Sequence, residues 1–243
     1  MKLLTLLTFL IASIHDGFGA GFTFPLVIHN PGQSISPFLV WNTDLPSLRF
    51  QQVYQASGFS GLGTTEFLIN ELFFYPSGAS PNASVVLPNI RIDLSTTSRA
   101  PDGLSTMLAA NVGANDTVVY SGSLNFFQSD GGIYRIHLQT PFLFDPSAGN
   151  LLMDVRNFQT VSPPPGGVRA YNAAEVTLGD GISAAFASDV NALTGGADTG
   201  GLFTGFEGAL VPEPSIGALL LTGLAVFALL RHKKANRKKQ NMT

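Results

Sequence analysis

Short stretches of apolar residues, alternating or compact, run through the middle of the chain with turn-forming residues between them. Seven stretches have the length and the β-branched or aromatic composition of strands. In the sequence IRIDL, three apolar residues (Ile90, Ile92 and Leu94) share one face of a predicted strand, and Arg91 and Asp93 share the other. The pattern predicts β-strands with one buried face. The seven stretches read FTFPLVIHN, LRFQQVYQA, EFLINELFFY, SVVLPNIRIDLSTTS, DTVVYSGSLNFF, GIYRIHLQTPFLF and NLLMDVRNF.

The segments between these stretches have the composition of turns. They include PSGASPN, GAND, QSDGG and DPSAGN, and Gly and Asn tolerate positive φ while Asp binds its own backbone. Asp145, which opens DPSAGN, is predicted to cap that turn. No amphipathic helices connect the strands, so the predicted fold class is all-β. We expect an antiparallel β-sandwich, jelly-roll-like, of about eight to ten strands.

Three segments are less regular. Residues 104–113, LSTMLAANVG, are predicted to form a short helix, or a loop followed by a strand. Residues 161–168, VSPPPGGV, are predicted to be a long surface loop within one domain. Residues 179–201 are rich in Gly, Ala and Asp, and we expect them to be loosely ordered.

The first 20 residues have the three-part pattern of a secretory signal peptide. Lys2 precedes an apolar run at 3–14, and the segment 17–20 that follows contains the small residues Gly17, Gly19 and Ala20. This pattern predicts cleavage after Gly19 or Ala20. The apolar run is shorter than a bilayer-spanning helix, which needs about 20 apolar residues.

The end of the chain carries a second apolar segment. Residues 216–230 contain no charge and would span about 22 Å as a helix, less than the ~30 Å hydrocarbon core. A basic tail at 231–239 follows, which indicates that this end stays in the cytoplasm, and long basic side chains reach the headgroups. The sequence predicts a single C-terminal transmembrane helix. The basic cluster consists of Arg231, Lys233, Lys234, Arg237, Lys238 and Lys239.

A short motif precedes that helix. Residues 211–215 read VPEPS, with Pro-Glu-Pro at Pro212, Glu213 and Pro214. Together with the apolar helix and the basic tail, the motif resembles the PEP-CTERM sorting signal. The resemblance implies export in a Gram-negative, exopolysaccharide-producing bacterium and processing near the motif by an exosortase, a membrane protease-transpeptidase. Transfer to the cell surface or release then follows. An ordinary uncleaved anchor is the alternative.

The body is also similar to domains that precede this signal in other proteins. The similar segments are RFQQVYQASGF, LSTTS, NVGANDTVVYSG and FLFDPSAGNLLMDV. That group has no established activity, so the similarity bears on the fold. The predicted organisation is a signal peptide at 1–20, an exported β-sandwich domain at 21–210 and a sorting signal at 211–239.

The composition of the body excludes several classes of function. It contains six arginines, no lysine and fourteen acidic residues, which gives a net charge of −8. We predict no nucleic-acid partner, because phosphate binding needs clustered Lys and Arg. The chain has no cysteine, which excludes disulfides, a cysteine nucleophile and thiolate metal sites.

The sequence offers few candidates for catalysis. It contains no nucleophile elbow, phosphate loop or zinc-protease motif. Among the body's two histidines, His137 is predicted to lie at the surface of a strand with Arg135 on its face. Glu66 and Glu71 are predicted to face opposite ways, and so not to pair as in a glycosidase. We predict that the protein is not an enzyme; a polysaccharide hydrolase with two carboxylates in a cleft is the less favoured alternative.

Binding is the remaining possibility from the sequence. Trp41, beside Asn42 and Asp44, is the best candidate for contact with a carbohydrate. A carbohydrate-binding module is therefore the alternative to a structural or adhesive protein of the envelope or biofilm matrix. No cofactor is predicted apart from calcium, which acidic loops could bind through oxygen ligands unless they are Asx-turns. The loop aspartates are Asp116, Asp130, Asp180, Asp189 and Asp198.

Overall fold

The computed structural model describes residues 47–62, 66–74, 84–127, 133–159, 174–175 and 178–211. The predicted signal peptide, Trp41, Asp130, the loop at 161–168 and the sorting signal from Pro212 onward lie outside these residues. The chain divides into two compact units, Met1–Leu210 and Val211–Thr243. No helix in the described part is both long and apolar enough to cross a membrane.

The described residues form eleven strands and two short 3₁₀ helices. The 3₁₀ helices are Ala56–Leu62 and Leu108–Asn111. The strands are β1 (Leu48–Tyr54), β2 (Phe67–Phe74), β3 (Ser84–Thr97), β4 (Thr117–Phe127), β5 (Tyr134–Phe144), β6 (Asn150–Asn157), β7 (Ala174–Glu175), β8 (Ile182–Ala187), β9 (Gly196–Asp198), β10 (Gly201–Leu202) and β11 (Thr204–Leu210).

All strand pairs in the sheets are antiparallel. The larger sheet has the order β4-β3-β6-β1-β8-β9, and the smaller sheet has the order β11-β2-β5. Strands β7 and β10 pair with each other. The predicted all-β class with antiparallel sheets is confirmed, and the architecture is β-sandwich-like. Strands β1 to β6 each fall within one of the predicted apolar stretches.

One hydrophobic core joins the two sheets. Tyr54 of β1 meets Phe206 of β11 edge to face, with ring centroids 4.9 Å apart. Phe59 and Phe144 are also 4.9 Å apart between centroids. Such pairs add about 0.5–1.5 kcal/mol beyond the area they bury. Large aromatic side chains therefore supply much of the stability of a chain that has no disulfides.

The predicted faces of β3 are confirmed. Ile90, Ile92 and Leu94 are fully buried in this core. Arg91 and Asp93 project from the opposite, outer face of the larger sheet, where they contact each other. The alternation of the strand therefore delivers charged side chains to the outside of the sandwich.

The less regular segments are better ordered than their composition indicates. The helical alternative for 104–113 is confirmed by the 3₁₀ helix within it. The prediction that 179–201 is loosely ordered is wrong, because this segment contains β8 and β9. Ala184 packs in the main core, while Ala185 and Ala187 pack with Leu108 on the outer face. Small residues form a strand here because both faces are covered. Strands of two or three residues bring the number above the predicted range.

Candidate functional site

Three arginines form a row across the outer face of the larger sheet. Arg91 of β3 is directly opposite Arg156 of β6, and Arg156 is directly opposite Arg49 of β1. Side chains at such paired positions share one face and have Cβ atoms about 4.5–5.5 Å apart. We call these residues the arginine row. Like charges this close are unfavourable without anions beside them.

The next row of the same face supplies those anions. Asp93, Asp154 and Gln51 are directly opposite one another on β3, β6 and β1. The two carboxylates and the amide are almost completely buried. A buried carboxylate is strongly unfavourable unless it is paired and hydrogen-bonded. The two rows therefore form one interdependent network.

Asp154 is the centre of this network. Arg49 donates to it through Nε at 3.1 Å and Nη2 at 2.6 Å. Gln51 donates through Nε2 at 2.9 Å, and Arg156 donates through Nη2 at 3.3 Å. Two donors from the neighbouring strand β1 and one from its own strand thus replace the water that Asp154 loses on burial.

Asp93 has a simpler environment. Arg91 donates through Nε to both of its carboxylate oxygens, at 2.9 Å. Burial raises the pKa of the Asp93 carboxyl, and this effect outweighs the lowering by Arg91. The network therefore contains one carboxylate with donors from three residues and one with a single arginine.

Residues 98–116 cross over this face, and we call them the covering segment. Gln51 donates through Nε2 to the carbonyl oxygen of Leu108 at 3.0 Å, and its Oε1 accepts from Asn111 at 2.9 Å. At Gly113 a Cβ would lie 1.8 Å from the carbonyl oxygen of Thr96. Only glycine permits this approach of backbone to backbone. The covering segment therefore shields Gln51 and Asp154 from water.

The other end of the arginine row is open. Arg49 is buried, whereas the side chains of Arg91 and Arg156 are 36% and 25% exposed. The Nη groups of Arg91 have no protein acceptor among the described residues, and the buried Nε of Arg156 has none there either. The row therefore changes from a buried ion pair at Arg49 to available hydrogen-bond donors at Arg91 and Arg156.

A second charged cluster lies on the outer face of the smaller sheet. Arg135 of β5 contacts Glu71 of β2 through Nη1, and Glu207 of β11 at 3.0 Å. His137 places Nδ1 2.6 Å from Glu71, and its side chain is 83% exposed. Arg135 also lies over the ring of Phe73, 5.4 Å from its centroid. We call Glu71, Arg135, His137 and Glu207 the glutamate cluster.

This cluster confirms one prediction and bears on another. His137 lies at the surface with Arg135 on the same face, as predicted. The prediction that Glu66 and Glu71 face opposite ways assumes one strand with unbroken alternation, whereas Glu66 precedes β2 and the alternation of β2 is interrupted. The register of β2 against β5 shifts between Ile69 and Glu71. This bulge lets Glu71 join the outer face, where its carboxylate is held by Arg135.

The loop aspartates mostly bind their own backbone. Asp180 accepts from the amide of Ile182, Asp189 from that of Asn191 and Asp198 from that of Gly200, at 2.9–3.1 Å. These are Asx-turns, so that alternative is confirmed for these three. No group of three or more His, Asp or Glu side chains in the described ranges is arranged to hold a metal ion.

Asp145 caps the DPSAGN turn, as predicted. Its Oδ1 accepts from the Ser147 amide at 2.8 Å and from the Ser147 hydroxyl at 2.7 Å. These bonds lower the pKa of the Asp145 carboxyl. Asp145 and Glu66 line an open cleft of about 410 Å³. A carboxyl with a lowered pKa is a poor general acid at neutral pH, so Asp145 is unsuited to the acid role of a glycosidase pair.

The comparisons with known proteins give no information on either set of charged residues. No protein-family model matches the chain, and no curated protein matches it. The donors, acceptors and charges of the two outer faces are therefore the basis for assigning a function to the body.

Proposed function

We propose that the chain is an exported, non-enzymatic protein that an exosortase processes at its C-terminal PEP-CTERM signal. Its destination is the cell surface, the bacterial envelope or the exopolysaccharide matrix, where it acts as a structural or adhesive component. The observation that carries this proposal is the order of Pro212-Glu213-Pro214, an apolar segment and a basic cluster at the end of the chain. The proposal includes the signal peptide at 1–20, the transmembrane helix at 216–230 and a jelly-roll-like chain path.

The boundary of the folded body supports this proposal. β11 ends at Leu210, and the Pro-Glu-Pro of the motif begins two residues later, at Pro212. Cleavage within or after the motif would leave every described strand intact. The partners that this function requires are the export machinery, the exosortase and the membrane before processing.

The intact mass of the protein from the surface or medium of its native host tests the proposal. We expect a species that lacks both termini and ends between Val211 and Ser215. Added mass would indicate a glycan or a covalent attachment. The variant Glu213→Ala should accumulate as uncleaved precursor, whereas Glu207→Ala, the same change upstream of the motif, should be processed normally. A membrane-bound native protein that retains 216–243 would show that the anchor is never cut.

A carbohydrate-binding module is the second candidate function, and one observation favours it. The side chains of Arg91 and Arg156 are partly exposed, and among the described residues each has guanidinium N–H groups that no protein group accepts. Exported proteins that remain in a polysaccharide layer meet sugars at high local concentration. A site of this kind would let the body bind the matrix directly.

A further inference from the structure

The open end of the arginine row has the chemistry of an anion site. Among the described residues, Arg91 donates through Nε alone, to Asp93, and Arg156 donates through Nη2 alone, to Asp154. We propose that the outer ends of Arg91 and Arg156 bind a carboxylate group of an acidic polysaccharide. The assignment to a polysaccharide rests on the proposed function, whereas the assignment to a carboxylate rests on the donors alone.

The charge balance of the outer face supports an anion here. In the described part of this face, three guanidinium groups pair with two buried carboxylates, so the ion-paired groups carry one more positive than negative charge. The next carboxylate is Asp116, which lies at the surface and forms no ion pair with these arginines. Burial and Asp154 raise the pKa of Asp116, and Arg156, Arg91 and Arg49 lower it. Asp116 therefore interacts electrostatically with the three arginines but does not accept the hydrogen bonds of their free N–H groups.

The shape of the donors favours a carboxylate. A guanidinium group is planar and presents parallel N–H bonds that match the two oxygens of a carboxylate. Asp93 and Asp154 already hold the two arginines in place, so little side-chain freedom is left to lose on binding. Partial burial also weakens screening by salt. The two side chains thus form a preorganised pair of donors.

The negative charge of the whole body limits where an acidic polymer can bind. A body of charge −8 repels polyanions over most of its surface. Binding of an acidic polymer would therefore need a local site, and background binding should be weak. Neutral polymers would not experience this repulsion, so their binding measures non-specific adsorption.

Binding of polygalacturonate to the purified full-length chain in mild detergent tests the site. We expect Arg91→Gln and Arg156→Gln each to weaken binding about tenfold, the usual effect of losing a charge-assisted hydrogen bond. Arg135→Gln removes the same charge from the glutamate cluster and is the matched control. It should change the affinity by less than about twofold, because that charge is remote and screened. Dextran should not bind.

Two further variants separate geometry from charge. Arg91→Lys keeps the positive charge but loses the planar fork, and it should also weaken binding. Asp116→Asn removes the nearby negative charge and should strengthen binding by about two- to fivefold. A gain of affinity cannot result from unfolding, so this variant tests the site even if Arg91→Gln is unstable. Urea midpoints measured for each variant identify any loss of structure.

Several outcomes would overturn the proposal. One is an equal loss of affinity in Arg135→Gln and Arg91→Gln, and another is unchanged affinity in Asp116→Asn. Binding of dextran sulfate without polygalacturonate would exclude a carboxylate ligand. Binding of free galacturonate without the polymer would exclude a polysaccharide source. The binding measurement does not depend on cleavage at the motif, so failure here and failure of the proposed sorting are distinguishable.

Discussion

The outer faces of the two sheets carry similar charged residues in different surroundings. On the larger sheet, Asp154 and Arg49 lie beneath the covering segment and are almost fully buried. On the smaller sheet, Arg135 and Glu207 are 44% and 42% exposed. Water and salt screen the second pair but hardly reach the first. Breaking an ion pair should therefore cost more stability on the larger sheet than on the smaller one.

The largest effect should come from breaking the buried pair. Asp154→Ala leaves Arg49 buried without its carboxylate, which should lower the free energy of unfolding by about 3–5 kcal/mol. Urea denaturation of the full-length chain measures this change. Glu207→Ala is the matched control on the exposed face and should cost less than about 1 kcal/mol. Equal losses in the two variants would mean that the covering segment does not exclude water from Asp154.

A smaller effect should follow from lifting the covering segment. Gly113→Ala places a Cβ against the carbonyl oxygen of Thr96, so the segment must move. Overpacking of this kind costs about 1–3 kcal/mol. The control is Gly196→Ala in β9, where a Cβ would meet the Phe186 ring at an ordinary 3.7 Å. Thermal denaturation should show a loss only at Gly113; stability unchanged by that substitution would contradict the close packing.

The smallest effect should come from the exposed cluster. Arg135→Ala removes two partly exposed ion pairs and the contact with Phe73, at a total cost of about 1–2 kcal/mol. High salt should reduce this cost, because it screens the exposed pairs. The cost of Asp154→Ala should change much less with salt. Stability measurements on both variants at low and high salt therefore sharpen the comparison. Identical salt dependence would contradict the difference in exposure between the two faces.

The sequence predicts the long strands well and the charged network poorly. Strands β1 to β6 follow from apolar alternation, and β3 shows its two faces directly. Strand β8 is not predicted from the sequence, because alanines carry little periodic signal. Its burial depends on contact with Leu108. The bulge in β2 is not predicted either, because nothing in the local sequence identifies Asn70 as the extra residue. Local pattern thus predicts elements, whereas distant contacts determine the exceptions.

The arginine row can be predicted only when the register between the strands is known. Its components are visible as charges two residues apart, Arg91 with Asp93 and Asp154 with Arg156. This spacing puts each pair on one face of a strand. The sequence does not reveal that the two strands are neighbours in opposite directions, which aligns arginine with arginine. The signal was therefore present, but its meaning depends on pairing between residues more than sixty positions apart.

The order of strands has a consequence for the time course of folding. β1 lies between β6 and β8, and β2 lies between β5 and β11, the last strand of the body. Neither early strand can complete its pairing until residues far along the chain are available, and such non-local topologies fold slowly. If the chain is threaded through a pore from its N-terminus, as the proposed export requires, neither sheet can be completed before β8 and β11 have passed. Delayed completion of this kind would suit the proposed export, because an incompletely folded chain can still be transported.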